Sequence, residues 1–408
     1  MLRAPNRCST APVLAILFCS IVSTPALAQP LAAISTFFDP SIESSGMGYA
    51  SVAVPWQDDL NDWANPALLG YQRGIRYSRG KTQLVPDLAD DVFFTSDRFA
   101  VGACGLGVSL VGKPIDGLGK LRLDYGLSEA TDVNGNVIGT FDSFEEVHQI
   151  GVGMNVLQFL ENVTQARGGR HQHLSRYADL SLGHTWKSIV IDLAPAGVTL
   201  DGLGGRGEAH EKDRGALLRV TPVGAAGTLA DGSGRIKLDV SGAFSQRNYG
   251  DATISFIDVD NVDPISEERL VGAATRLSFR VDAAPGGIWD LLSPLVSVGG
   301  AWEEARYYSG EIKVGGTIHR TGQVIDILGL VSLRHGFVDD PRGEIQDDSW
   351  GYSVGLQYRG IVAARYDWAE IPQSSFLTRI HREGFTVQFD PYRLYRATRA
   401  SGESVAAN

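Results

Sequence analysis

Three stretches of this chain alternate apolar and polar residues strictly enough to decide its fold class. In Arg235–Ser245, Ile236, Leu238, Val240 and Phe244 share one face, and Arg235, Lys237, Asp239, Ser241 and Ser245 share the other. In Leu270–Asp282, Val271, Ala273, Leu277, Phe279 and Val281 alternate with Gly272, Arg276, Ser278, Arg280 and Asp282. In Gly351–Arg359, Tyr352, Val354, Leu356 and Tyr358 alternate with glycine, serine, glutamine and arginine. A period of two over this length is a β-strand with one apolar face, whereas a helix would scatter these residues around its circumference. Two architectures carry such strands. One is a soluble sandwich or propeller with solvated outer faces; the other is a transmembrane barrel with a wet interior. Strands of ten or so residues with aromatic ends match the barrel better. Trp302, Tyr307, Tyr308, Trp350, Tyr352, Tyr358, Tyr366 and Trp368 lie near expected strand ends and are candidates for interfacial girdles.

The N-terminus points to export. Arg3 and Arg7 precede an apolar run from Ala11 to Val22, and Ala26-Leu27-Ala28 stands before Gln29. That order reads as a signal peptide over residues 1–28, and the run is too short for a membrane-spanning helix. Phe18 is too bulky for a lipoprotein signal ahead of Cys19. Cleavage removes Cys8 and Cys19 and leaves Cys104, so the mature chain has no internal disulfide. It also leaves 34 basic residues against 47 acidic ones, a net charge of −13 where the whole chain has −11. Such a surface repels phosphate backbones, which excludes nucleic acid as a partner. The longest later apolar stretch, Ile288 to Trp302, is broken by Asp290 and Pro294. A closed barrel needs no apolar helix, because its strands satisfy one another's backbone groups. The chain has 48 glycines among 408 residues, well above the usual ~7%, which favours tight turns and closely packed walls.

Further strands are expected at Gly74–Leu84, Arg98–Val111, Lys120–Leu127, Val147–Val156, Ala178–Ile191, Gly215–Val223, Leu295–Tyr307, Val324–His335 and Ile361–Trp368. Turn chemistry separates them at Asn134-Gly135, Asp231–Gly234 and Asp340–Gly343. The polar stretches Asp132–Glu146, Glu161–Arg176, Gly202–Arg214 and Val338–Asp348 read as external loops. The last strand carries Arg382, Gly384, Val387 and Phe389 in a polar-x-Gly-x-x-apolar-x-aromatic pattern, with Phe385 on the same outward face as Val387 and Phe389. This resembles the signal by which outer-membrane proteins address the barrel-assembly machinery, except that 19 residues follow Phe389. Neither a repeat nor a linker divides the chain. The expected organisation is a signal peptide (1–28), an N-terminal plug (29–70), the barrel (71–389) and a polar tail outside it (390–408).

The segment Ser45-Gly46-Met47-Gly48-Tyr49-Ala50, followed by an acidic stretch from Asp58 to Asp62 and then Asn65-Pro66-Ala67, resembles the opening of FadL and PorV-like outer-membrane proteins. The middle of the chain, Gly139–Val147 and Ala178–Lys187, looks most like the PorV-like branch. Leu68 stands where the family pattern has glycine. The resemblance implies about fourteen antiparallel strands, partly plugged by the segment before the first strand. Asn65 then offers an amide to pin backbone, Pro66 fixes φ, and Ala67 permits close approach to the wall.

Other motifs carry less. Gly202–Gly207 fits G-x-G-x-x-G, but the charged stretch after it leads to a strand where a dinucleotide site needs a helix. His171-x-His173 supplies only two metal ligands in a loop. Asp258, Asp260, Asp263, Glu267 and Glu268 lack the glycine and spacing of a calcium loop. No catalytic motif, metal site or cofactor site is expected. The partners expected are outer-membrane lipids, the barrel-assembly machinery, and either hydrophobic small molecules or secreted proteins. Inward charges such as Lys237, Asp239, Arg276 and Arg280 suit both functional readings. One is a passive channel for hydrophobic or amphipathic molecules. The other is a PorV-like accessory protein that binds secreted or surface proteins without transport.

Overall fold

The structure is a computed structural model. It describes residues 33–59, 61–112, 121–132, 134–167, 174–194, 205–223, 234–250, 253–256, 262–281, 295–358, 360–374 and 377–395. Among these, seventeen strand segments form one antiparallel sheet; fifteen of them fill fourteen positions in a closed wall, two sharing one position, and the other two form a side hairpin. The first four positions are β1 (Gly74–Gln83), β2 (Phe93–Ala103), β3 (Leu106–Val111, continued by Leu121–Thr131) and β4 (Val137–Asn155). Both parts of β3 lie between β2 and β4. The wall continues through β5 (Ala178–Asp192), β6 (Arg206–Val223), β7 (Gly234–Arg247), β8 (Glu267–Val281), β9 (Val296–Ser309) and β10 (Ile312–Ile327). It ends with β11 (Val331–Asp340), β12 (Ile345–Tyr358), β13 (Val362–Ile371) and β14 (Ile380–Phe389). A short hairpin, Thr253–Phe256 with Val262–Pro264, extends the β6 edge between β7 and β8. Closure is made by β1 against β14, in register from Ile75↔Phe389 to Thr82↔Arg382. We call the end where β1 begins and β14 finishes proximal, and the other end distal.

The alternation of the sequence becomes an inverted protein. Val240, Leu277, Val298, Leu333 and Val354 are all more than 40% exposed on the outside, while Asp239, Ser241, Ser297, Arg334 and Ser353 are buried inside. A soluble sandwich buries the first set and exposes the second. The inversion is stable only when bilayer hydrocarbon covers the outer face, and closed antiparallel barrels of this kind belong to outer membranes. No described helix is long and apolar enough to cross a membrane. The helix α2 (Val156–Ala166) sits between β4 and β5 at the proximal end, after a five-residue α1 (Ile42–Gly46) in the N-terminal segment.

Several sequence expectations need correction. Arg98–Val111 is two strands joined at Cys104-Gly105, and Val324–His335 is two strands joined through Leu328–Leu330. Each turn is marked by a single glycine, Gly105 (φ 84°) or Gly329 (φ 62°). The residue before it, Cys104 or Leu328, takes the left-handed conformation (φ 57° at both) that glycine or asparagine usually occupies, which masks the turn. Most of Asp132–Glu146 and Gly202–Arg214 is strand rather than loop. Val338–Asp348 is strand except for a four-residue turn, and Glu161–Arg176 begins as helix. On the distal part of β6 the outward residues Glu208, His210, Lys212 and Arg214 are exposed and polar, so the strand projects beyond the apolar belt and its alternation signal disappears. Tyr307 is not a girdle residue: it points into the lumen and is 3% exposed.

Val240 lies at the middle of β7, facing outward. A charge there must enter the hydrocarbon, so Val240→Arg is expected to destabilise the inserted barrel by roughly 2–4 kcal/mol. Urea unfolding in liposomes measures this, and an unchanged midpoint would contradict the outward, mid-bilayer placement.

Candidate functional site

The segment from Ala33 to Arg73 lies inside the barrel. Its local structure follows from its small polar residues. Ser41 caps α1 by accepting the amide of Ser44 at 3.2 Å, and Asp39 accepts the amide of Ser41 at 2.8 Å. Gly48 and Tyr49 both have positive φ and reverse the chain after the helix. Asn65 caps a 3-10 turn, Pro66–Tyr71, whose first residue has no N–H to leave unpaired.

This plug is held to the wall by a lattice of buried polar contacts. Glu43 on α1 pairs with Arg334 of β11 at 2.8 Å and with Arg365 of β13 at 2.7 Å, and it accepts the amide of Asp59 at 2.9 Å. Burial alone would raise its carboxyl. Arg334 and Arg365 overcome that and hold it at about 2. Arg98 of β2 pairs with Asp59, and Ser109 of β3 donates to Asp62. Asp62 has no such cationic clamp, and burial pushes its carboxyl above the ordinary value. Opposite, Glu303 of β9 accepts the amides of Ser51 (3.0 Å) and Val52 (2.9 Å) and is itself held by Arg320 at 2.7 Å. Trp63 is fully buried beneath the ammonium of Lys187, 4.2 Å from its ring centroid, and Lys187 is paired with Asp213 at 2.8 Å.

The wall also makes room for the plug. A Cβ on Gly183 would lie 2.1 Å from the carbonyl carbon of Pro66, and one on Gly215 would lie 2.0 Å from the side-chain oxygen of Asn65. Both positions require glycine because backbone or a fixed amide occupies the side-chain space.

On the distal side of the plug a cavity of about 410 Å³ opens. Its walls are apolar on several sides, with Phe37 and Phe38 from the plug, Tyr307 and Ile318 from the wall, and Leu377 from the β13–β14 connection. Phe37 and Tyr307 pack with ring centroids 5.4 Å apart. The guanidinium of Arg342 lies over the Tyr307 ring at 3.7 Å, and its Nε and Nη1 have no protein hydrogen-bond partner. The cavity therefore combines an aromatic and aliphatic lining with three arginines, Arg247, Arg320 and Arg342, and two aspartates, Asp39 and Asp340. Arg247 and Arg320 are paired with Glu268 and Glu303, which leaves the free donors of Arg342.

The residues singled out in the sequence fall in different places. Asn65 is fully buried; its amide nitrogen donates to the Val52 carbonyl at 2.9 Å and, across to β6, to the Ala216 carbonyl at 3.5 Å, while its oxygen accepts the Ala67 amide at 3.0 Å. Pro66 and Ala67 are buried beside it, and the Ala67 carbonyl accepts from Ser181 at 2.5 Å. On β14, Val387 and Phe385 face outward, whereas Arg382 is buried, donating to Thr82 at 3.1 Å and to Ser45 of the plug. Gly384 faces the plug, where a Cβ would meet Ile42 at 2.5 Å. Pro391–Tyr395 form a helical turn at the proximal mouth, with Arg393 lining it. Glu267 and Glu268 pair with Arg269 and Arg247. His171, His173, Asp258, Asp260 and Gly202–Gly204 lie outside the described residues. The plug–wall ion pairs were missed, since each joins residues distant in sequence. Their only trace was an acidic N-terminal segment facing strands with arginine on their polar side.

No family model matches the chain, and no curated protein matches it. Solved structures do match across most of its length. The Ralstonia pickettii toluene transporter TbuX is 13% identical, with 86% of this chain and 98% of that one covered at a TM-score of 0.38. The Pseudomonas putida toluene transporter TodX is 12% identical, with 84% and 95% covered at 0.35. A Pseudomonas aeruginosa FadL homologue is 8% identical, with 85% and 97% covered at 0.35. At TM-scores this low the likeness carries no argument, and the barrel rests on its own strand pairings.

Proposed function

We propose that the protein is a passive channel for hydrophobic or amphipathic small molecules, gated by its N-terminal plug. The observation that carries this reading is the cavity of about 410 Å³ above the plug, lined by Phe37, Phe38, Tyr307 and Leu377. Apolar pockets with a few placed polar groups are the usual form of a small-molecule site. Here the unpartnered donors of Arg342 suit the polar end of an amphipathic molecule. Catalysis is no part of this proposal. Asn65, Pro66 and Ala67 act as the anchor about which the plug is held. The β14 pattern of Arg382, Gly384, Val387 and Phe389 serves barrel assembly, with Arg382 also tying the closing strand to the plug.

Placing a carboxylate in the pocket, as Phe37→Asp or as Leu377→Asp at its rim, is expected to lower uptake of a tritiated aromatic hydrocarbon several-fold in cells expressing the protein. Heat-modifiable migration on gels serves as the check that the variants still fold. Unchanged uptake would contradict the channel reading. Co-purification of a large surface protein from the same cells would then favour the accessory role.

The plug itself should respond to mutation and to pH. Asn65→Ala removes a buried amide that serves two carbonyls, and is expected to weaken plug docking by roughly 1–3 kcal/mol, seen as faster hydrogen exchange at Val52 and Ala67. The Glu43 carboxyl is held below its ordinary 4.5, at about 2. Its contribution is therefore complete above pH 4.5 and is lost as the pH falls toward 2. The Asp62 carboxyl, raised by burial, works in the opposite sense. Plug amides should exchange faster, relative to their intrinsic rates, as the pH drops through this window, and Glu43→Gln should flatten that response. A response as steep in Glu43→Gln as in the native protein would rule out Glu43 as its source.

A further inference from the structure

We propose that the proximal end of the lumen is a binding site for a small oxyanion, a phosphate or a carboxylate. This inference does not depend on the transport reading. A cavity of about 360 Å³ lies there, bounded by Trp56 and Tyr71 of the plug and by Arg76 of β1, Arg219 of β6, Lys237 of β7 and Arg276 of β8. In all, seven basic side chains and two carboxylates line it, in a chain whose net charge is −11. The concentration of cations therefore runs against the composition and marks the chamber electrostatically.

Most of these cations already have partners. Lys237 pairs with Asp239 at 2.8 Å, Arg276 with Asp326 at 2.9 Å, and Arg219 with Asp179. Arg76 differs. It is 7% exposed, its Nη2 donates to Gln388 at 3.2 Å, and its Nε and Nη1 have no protein partner. The same is true of Nε of Arg219, the hydroxyl of Tyr71 and Nε1 of Trp56, all buried and all on residues lining this cavity. Buried polar groups normally find partners, and a buried guanidinium without one is costly. Among the described residues lining this cavity the unpartnered groups are mostly donors: three guanidinium N–H positions, the Trp56 indole N–H and the Tyr71 hydroxyl stand against one acceptor, the Gln57 side-chain oxygen. A ligand that completes them must be rich in acceptors, and the excess of guanidinium calls for one that is negatively charged. Oxyanions meet both conditions, and arginine recognises them through its planar array of N–H groups.

The test is calorimetric titration of the full-length protein in a zwitterionic detergent, with inorganic phosphate and with citrate as probes. At least one of the two is expected to bind saturably, more weakly at high salt. Arg76→Gln should weaken that binding about tenfold or more, the scale of a lost hydrogen bond to a charged group. Arg73→Gln, at the exposed rim and outside the strands, should weaken it a few-fold and covers the case in which Arg76→Gln fails to fold. Competition from phosphatidylglycerol added to the micelles would assign the site to a lipid headgroup, and its absence to a free anion. The proposal is overturned if neither probe binds saturably, so that the chamber holds water only, or if both variants bind as the native protein does.

Discussion

The structure depends on one geometric constraint: a wall of fourteen strands encloses more space than its own inward side chains can fill. Small barrels are filled by their side chains, and large ones carry water or a plug. Here the inward face is polar and buried at the same time, which is tolerable only if something inside supplies hydrogen-bond partners. The N-terminal segment does so. Glu43 satisfies Arg334 and Arg365, Asp59 satisfies Arg98, and the amides of Ser51 and Val52 satisfy Glu303. Removing one member of such a pair strands the other charge, so plug and wall specify each other.

The plug also divides the lumen into two unlike chambers. The distal one is lined by Phe37, Phe38, Tyr307 and Leu377, and the proximal one by Arg76, Arg219, Lys237 and Arg276. Trp56 and Tyr71 stand at the plug's proximal face, Phe37 and Tyr49 at its distal face. In the transport reading, a molecule passes between the aromatic-lined chamber and the more strongly cationic one, and the plug must loosen to let it through.

The wall was legible because a barrel strand in a bilayer has one apolar and one polar face, as Arg235–Ser245 and Gly351–Arg359 show. It stopped being legible where that physics stops. The first half of β6 extends past the apolar belt, so its outward residues are free to be polar, and Val137 to Thr140 are exposed on both faces, so that stretch shows no alternation. The turns at Cys104-Gly105 and Leu328–Leu330 were hidden because each has one glycine where two residues take positive φ, the first being Cys104 or Leu328. Within the plug, Asn65-Pro66-Ala67 stood out as a local pattern. The ion pairs of Glu43 did not, since closure brings together residues roughly 300 positions apart. Tyr307 looked like any interfacial tyrosine, and only the register of β9 turns it into the lumen.

The central claim is that the N-terminal segment closes a barrel whose wall stands without it. The backbone ladders of the wall run strand to strand, from β1–β2 around to β14–β1, and none of these pairings involves the plug. The most direct measurement is ion conductance across planar bilayers for the protein lacking residues 37–69, beside the intact chain. The deleted protein should insert, keep its heat-modifiable migration and conduct through an open lumen, while the intact protein conducts little. A deleted protein that inserts normally and conducts no more than the intact one would contradict the account.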